Sequence, residues 1–148
     1  MSLLESELQL EPLVESADHN LPVWKVWKLM KSQKRRFLPL VDKSGLLIGV
    51  VRGRDLATLT ALSPGSLNIN DVLDSNPLCV ELADSISKLV NRLTSSGMDY
   101  AVIVGSGNIV LEIVTVNQVL HFTDQVVGQN SMATVFDLFQ WRSKNGDY

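Results

Sequence analysis

Apolar positions along the chain fall into stripes and short runs separated by turn residues. Val23, Val26, Trp27 and Met30 recur at helical spacing and predict an amphipathic helix. Pro22 suits its first turn, where a missing N–H needs no partner, and the helix is expected to end near Gln33. Lys25, Lys28 and Lys31 lie off the stripe as snorkelling surface lysines. Trp24 also lies off it, and either packs on a partner subunit or stacks with Lys28 one turn along. Residues 37–41 read as a short strand that Pro39 places at an edge or an irregularity. Asp42-Lys43-Ser44-Gly45 supplies a tight turn, and residues 46–51 return as the second strand of a hairpin. Arg52-Gly53-Arg54-Asp55 then interrupts the apolar run where the strand hands over to a helix at 55–62, stopped by Ser63-Pro64-Gly65. Polar chemistry is best sought at that junction.

After this linker the same order begins again. Ile69, Val72 and Leu73 predict a short helix, and residues 77–80 an extended segment. Asp84 or Ser85 caps a helix whose apolar face is Ile86, Leu89, Val90 and Leu93, terminated at Gly97. A strand at 100–104, a turn at 105–108, a strand at 109–114 and a closing helix at 116–127 stopped by Gly128 follow. At the N-terminus, Ser2-Leu3-Leu4-Glu5 has the form of a capping box for a helix at 3–8, Leu13-Val14 begins an extended segment, and Asp18-His19-Asn20 is turn-like. At the C-terminus, Ser131 caps a helix with Met132, Val135, Phe136 and Phe139 on one stripe, followed by Trp141 and a polar tail from Arg142. That helix either packs over the core or meets a partner.

A shift of 63 residues places Val23 on Ile86, Val26 on Leu89, Trp27 on Val90 and Met30 on Leu93, and continues through Leu40 on Ile103, Val51 on Val114 and Leu56 on Val119. Before the long helix, a shift of 65 pairs Leu4, Leu8, Pro12 and Leu13 with Ile69, Leu73, Pro77 and Leu78. Two copies of strand–helix–strand–strand–helix follow. The fold class is α+β, with two β-α-β-β-α repeats at 3–62 and 67–127 and a short C-terminal helix and tail at 128–148.

Composition narrows the classes of function. With 148 residues, 45% of them hydrophobic and 20% charged, the chain is a folded domain or two small ones and not a disordered segment. No apolar run approaches the ~18 residues that cross a bilayer, so no membrane is expected as a partner. No secretory signal is visible, and Cys79 alone excludes an internal disulfide framework, so a cytoplasmic location is the default. The net charge of −3 conceals an asymmetry: residues 25–54 hold nine basic residues against Asp42 alone, a net +8, which leaves −11 for the rest. That stretch is either a solvated helix face with its loop or a contact for a phosphate-rich partner. Gly105-Ser106-Gly107-Asn108 lies between strands and lacks a Lys-Ser/Thr ending, so it is a hairpin turn and not a phosphate loop. His19 and His121 are remote from each other, and nothing has metal-ligand spacing or the form of an acid/base pair. No enzyme and no required cofactor are expected.

The repeats resemble a tandem pair of CBS domains, the cystathionine-β-synthase type also called a Bateman module. The resemblance rests on Leu38-Pro39-Leu40-Val41-Asp42, Gly45, Gly49-Val50-Val51 and Asp55-Leu56 in the first copy. In the second it rests on Asn76-Pro77-Leu78, Asp84-Ser85, the 100–104 strand and Ile113-Val114-Thr115. It implies two repeats packed as a pseudo-twofold pair and binding an adenine nucleotide (ATP, ADP, AMP or S-adenosylmethionine) in clefts between the copies, and the chain is expected to act as a homodimer on a regulated protein partner. The family's ligand motif is Gly, two apolar residues, Thr or Ser, two variable residues, then Asp. Here the first copy keeps Gly49 and Asp55 but has Arg52 at the hydroxyl position. The resemblance thus puts Asp55 on ribose and Arg52 or Arg54 on phosphate, although Asp55 is also a good helix cap. The second copy keeps Thr115, followed by Asn117, but Glu112 replaces the glycine and Gln118 the aspartate, so its site is expected to be impaired. The alternatives are a degenerate pair acting as a dimerisation scaffold without ligand, and nucleic-acid binding through 25–54.

Overall fold

The computed structural model describes residues 22–62, 68–127 and 132–145. The expectations for the N-terminal capping box, the Leu13-Val14 segment, the 18–20 turn, the stops at 63–65 and Gly128, and the Ser131 cap lie outside the described residues. The chain divides into two units. Among the described residues, one holds 22–77 with 108–110 and the other 78–107 with 111–145.

The first unit begins with α1 (Val23–Ser32), continues through β1 (Phe37–Val41), β2 (Leu47–Arg52) and α2 (Gly53–Leu62), and ends with a 3₁₀ turn (Ile69–Asp71) and β3 (Leu73–Asp74). The strands form an antiparallel sheet in the order β1-β2-β3. Pro39 therefore sits on an edge strand, where its missing N–H costs no ladder bond, and the register slips just beyond it between Leu40 and Val41. Asp42 Oδ1 accepts from the N–H groups of Ser44 and Leu46, and Gly45 takes φ +84°, which closes the β1–β2 turn. Val26, Met30, Leu38, Leu40, Val51, Leu56, Ile69 and Val72 make the core, with Val23 and Trp27 packed against it.

The second unit contains β4 (Cys79–Glu81), α3 (Ile86–Ser96), β5 (Tyr100–Val104), β6 (Val110–Thr115), α4 (Val116–Phe122), a π-helical turn (Thr123–Val127) and α5 (Val135–Asn145). Its sheet has the order β4-β5-β6, with β4 parallel to β5. The repeat is visible in the elements: α1, β1, β2 and α2 each start 63 residues before α3, β5, β6 and α4. Ser85 Oγ accepts from Lys88 N–H to cap α3, and Gly97 ends it in the left-handed conformation at φ +67°.

Several expectations are corrected. Pro22 is the N-cap of α1 and not a residue of its first turn. It is Lys25, not Lys28, that lies over the Trp24 ring, 5.6 Å from its centroid. Leu73 belongs to β3 instead of a short helix: the 3₁₀ turn that Asn68 caps ends at Val72, whose N–H donates to Ile69 O, and Leu73 then pairs with Val51 on the edge of β2. Val90, at the margin of the α3 stripe, is 36% exposed. The closing helix changes to π-helical hydrogen bonding after Phe122. Met132 precedes the last helix and is 81% exposed, since the described cap is Thr134, whose Oγ1 accepts from Asp137 N–H while Asp137 Oδ2 accepts from Thr134 N–H. Val135, Leu138 and Phe139 then bury fully on the core of their own unit, and Arg142 lies inside the helix instead of a tail.

Asp84 ties α3 to the end of β4, accepting from Glu81 N–H at 2.9 Å and from Lys88 Nζ at 3.1 Å. Burial pushes its pKa up, but the Glu81 and Lys88 bonds and the charges of Lys88 and Arg92 outweigh it and hold the carboxyl below its usual range. A folded value below the unfolded ~3.9 means that this stabilisation is complete above the unfolded value and is lost as pH falls through the folded one. Urea midpoints measured from neutral pH into the acid range are therefore expected to fall less steeply in Asp84→Asn than in the parent. Equal acid limbs would contradict the assignment.

Candidate functional site

The β2–α2 junction is built by close packing. Gly49 lies buried in β2 opposite Leu40, and a Cβ placed on it would stand 2.7 Å from both the carbonyl oxygen of Asp74 and Leu73 Cγ. Only glycine lets β3 approach this closely. β2 then passes directly into α2 at Gly53, whose N–H donates to Arg36 O at 2.9 Å. Asp55 is consequently the third residue of α2 and not its cap, a correction to the reading from sequence. Its carboxylate in the first turn still benefits from the positive end of the helix dipole.

Arg54, Asp55 and Thr58 of α2 face a cavity of about 440 Å³ whose other side is residues 71–74. The Asp55 side chain is 46% exposed, and Arg54 Nε lies 3.9 Å from Asp55 Oδ1. So exposed a pair contributes little stability and leaves both groups available to a ligand. Thr58 Oγ1 donates to Arg54 O, which steadies the turn between them. Asp71 Oδ2 accepts from Asn68 N–H, and Asp74 Oδ1 from Asn76 N–H, so each aspartate is held by a local turn. The wall thus carries three carboxylates against one guanidinium. Arg52 closes β2 opposite Phe37, is half-buried, and is not part of the cavity wall.

Sequence reasoning missed the Asp71–Asp74 wall. The Asn68-x-x-Asp71 spacing of a capping box was the available signal for the turn, but the pairing of β3 with β2 is non-local and leaves no mark in the sequence.

Thr115 and Asn117 stand in the second unit, whereas Gly49, Arg52, Arg54 and Asp55 stand in the first. Thr115 is the N-cap of α4, its Oγ1 accepting from Gln118 N–H at 3.2 Å while Gln118 Oε1 accepts from Thr115 N–H at 2.9 Å. The residue at the motif's aspartate position is thereby a buried partner in a capping box. Asn117 is exposed on the first turn of α4. Glu112, expected to add negative charge near a phosphate, is buried and faces a cation instead: Arg142 Nη2 of α5 lies 3.5 Å from its Oε2. Ile113 N–H donates to Oε1 at 2.8 Å.

Other chemistry is sparse. Burial pushes the Cys79 thiol up against the lowering charge of Arg92, which makes it a poor nucleophile at neutral pH. Among the described residues no group of three or more His, Cys, Asp or Glu is placed to hold a metal ion, and no helix is long and apolar enough to cross a membrane.

Residues 10–61 match the family model of the CBS domain. No curated protein sequence matches the chain. Among solved structures, the CBS domain pair of protein MJ0100, in complex with 5′-methylthioadenosine and S-adenosyl-L-methionine, is 18% identical with a TM-score of 0.67, over 84% of this chain and 97% of that one. CBSX2 in complex with AMP is 20% identical with a TM-score of 0.62, over 76% and 89% of the two chains. The cytosolic domain of the Mg²⁺ channel MgtE, in complex with ATP, is 17% identical with a TM-score of 0.62, over 76% of this chain and 46% of that one. At these identities the likeness is one of fold.

Proposed function

We propose that this chain, a tandem CBS-domain protein, is a non-catalytic regulatory module that senses an adenine nucleotide at the α2 cavity of its first unit. The observation that carries the reading is the meeting of Asp55 and Arg54 in one open cavity at the strand-to-helix junction. A carboxylate there accepts hydrogen bonds from ribose hydroxyls, and a guanidinium donates to a phosphate or carboxylate. The ligands of MJ0100, CBSX2 and MgtE named above are all adenosine compounds, which supports the class. The second repeat's Thr115 and Gln118 are engaged with each other, and we infer one ligand per chain. The regulatory output passes through a cytoplasmic homodimer to a protein partner, with binding shifting the balance between two arrangements of the module.

The cavity's charge ranks the candidates. Three aspartates against one arginine disfavour a polyphosphate, so S-adenosylmethionine and AMP are expected to bind ahead of ATP in the absence of divalent cations. Thermal-shift and calorimetric titrations with the four ligands test this directly, because a ligand bound by the native state raises the melting temperature. Asp55→Ala is expected to weaken the best of them by about tenfold or more, the loss of one to two hydrogen bonds to a charged group. No heat with any of the four at millimolar concentration would remove the proposal.

A further inference from the structure

The exposed face of α1 carries chemistry that the nucleotide cavity does not use. At 100° per residue, Trp24, Lys28 and Lys31 fall within a sector of about 60°, with Lys25 beside it. Val26 and Met30 occupy the opposite, buried side. Trp24 is 62% exposed. Lys25, Lys28, Lys31 and Lys34 are all exposed, and none of them forms an ion pair with a described residue. From 22 to 41 the chain has six basic residues and no acid. Such a concentration of like charge around a large exposed indole calls for an anionic partner.

The geometry selects among anionic partners. A second copy of α1 would set lysines against lysines across a twofold contact, which is repulsive. A single nucleic-acid strand is bound in a groove with several stacking aromatics, but a helix packed on its core presents a convex face, and here only one aromatic stands out from it. The Lys25 ammonium also lies over that ring, 5.6 Å from its centroid. A flat anionic surface fits both features. The lysine stems reach out to phosphates, and the indole, apolar with one polar N–H, settles at headgroup level.

We propose that the Trp24–Lys25–Lys28–Lys31 face of α1 docks this protein on an anionic phospholipid surface. This revises the expectation that no membrane is a partner, which rested on the lack of a spanning segment; a surface contact needs none. The acids elsewhere in the chain do not prevent it, because charges more than about 8 Å from the surface are largely screened at physiological salt.

Sedimentation of the full chain with vesicles tests the proposal, without nucleotide present. Binding is expected to phosphatidylcholine vesicles containing phosphatidylserine, to fall steeply with added salt, and to be absent with phosphatidylcholine alone. Replacing Lys25, Lys28 and Lys31 together by Gln is expected to weaken it about a hundredfold, and Trp24→Ala to weaken it while keeping the salt dependence. These side chains are exposed, so both variants should keep the parent's melting temperature, and Lys28→Gln alone supplies a milder variant should the triple one lose it. Equal binding to neutral vesicles, no binding to anionic ones at low salt, an unaffected triple variant, or binding to single-stranded RNA without binding to vesicles would each overturn it.

Discussion

Arg142→Ala is expected to destabilise the protein by about 3–5 kcal/mol, the usual cost of stripping one partner from a buried ion pair. The Glu112 side chain is 2% exposed and that of Arg142 19%, so the carboxylate is poorly hydrated once the guanidinium is gone. The Ile113 N–H that donates to Oε1 supplies a hydrogen bond but no counter-charge. Truncation also removes apolar stem from a helix whose neighbouring Trp141 meets Phe122 edge-on at 5.6 Å, and that loss adds to the electrostatic one. The two contributions separate in a double-mutant cycle. Glu112→Gln in the Arg142→Ala background is expected to recover much of the loss, because the amide needs no counter-charge, whereas a pure packing defect would not respond. Urea unfolding of the four proteins at neutral pH supplies the numbers. A loss below about 1 kcal/mol for Arg142→Ala would mean that the pair behaves as an exposed one.

The same pair shows what could be read in the sequence and what could not. The 63-residue offset between matching elements, the strand at Tyr100–Val104 and Ser85, one of the two caps offered for α3, follow from periodicity and local chemistry and agree with the structure. Glu112 was visible as a departure from the motif glycine, but its counter-charge stands 30 residues away on a helix that packs back over the second unit. Nothing in the spacing reveals that return. The Thr134–Asp137 cap has its own local signature, yet the apolar stripe can be extended one turn further back to Met132, and only the exposure of Met132 decides between the two starts. At the candidate site the division is similar. The junction of Gly49, Arg54 and Asp55 is legible, since an abrupt change from apolar to charged residues marks it. The facing wall of Asp71 and Asp74 arises from an edge pairing whose information is distributed over two strands.

Gly49→Ala joins the two themes, because one methyl group is expected to damage fold and cavity together. The added Cβ would meet the Asp74 carbonyl oxygen and two atoms of Leu73, all within 2.8 Å. A side chain could turn away from such a contact, but the carbonyl belongs to the β3 backbone and yields only if β3 moves. Overpacking of this kind costs roughly 1–3 kcal/mol, sometimes more. Gly97→Ala gives the contrast: Gly97 has φ +67° and nothing within 4 Å of a built Cβ, so its cost is conformational alone, about 1 kcal/mol. The functional readout differs as well. Leu73 and Asp74 wall the cavity, so a displaced β3 is expected to reduce the melting-temperature rise given by the best ligand in Gly49→Ala and to leave it unchanged in Gly97→Ala. Comparing the two at matched distance below their own melting points removes stability as the cause. If Gly49→Ala loses stability yet keeps the full ligand shift, the wall formed by residues 71–74 takes no part in binding, and Asp55 and Arg54 must hold the ligand from the α2 side alone.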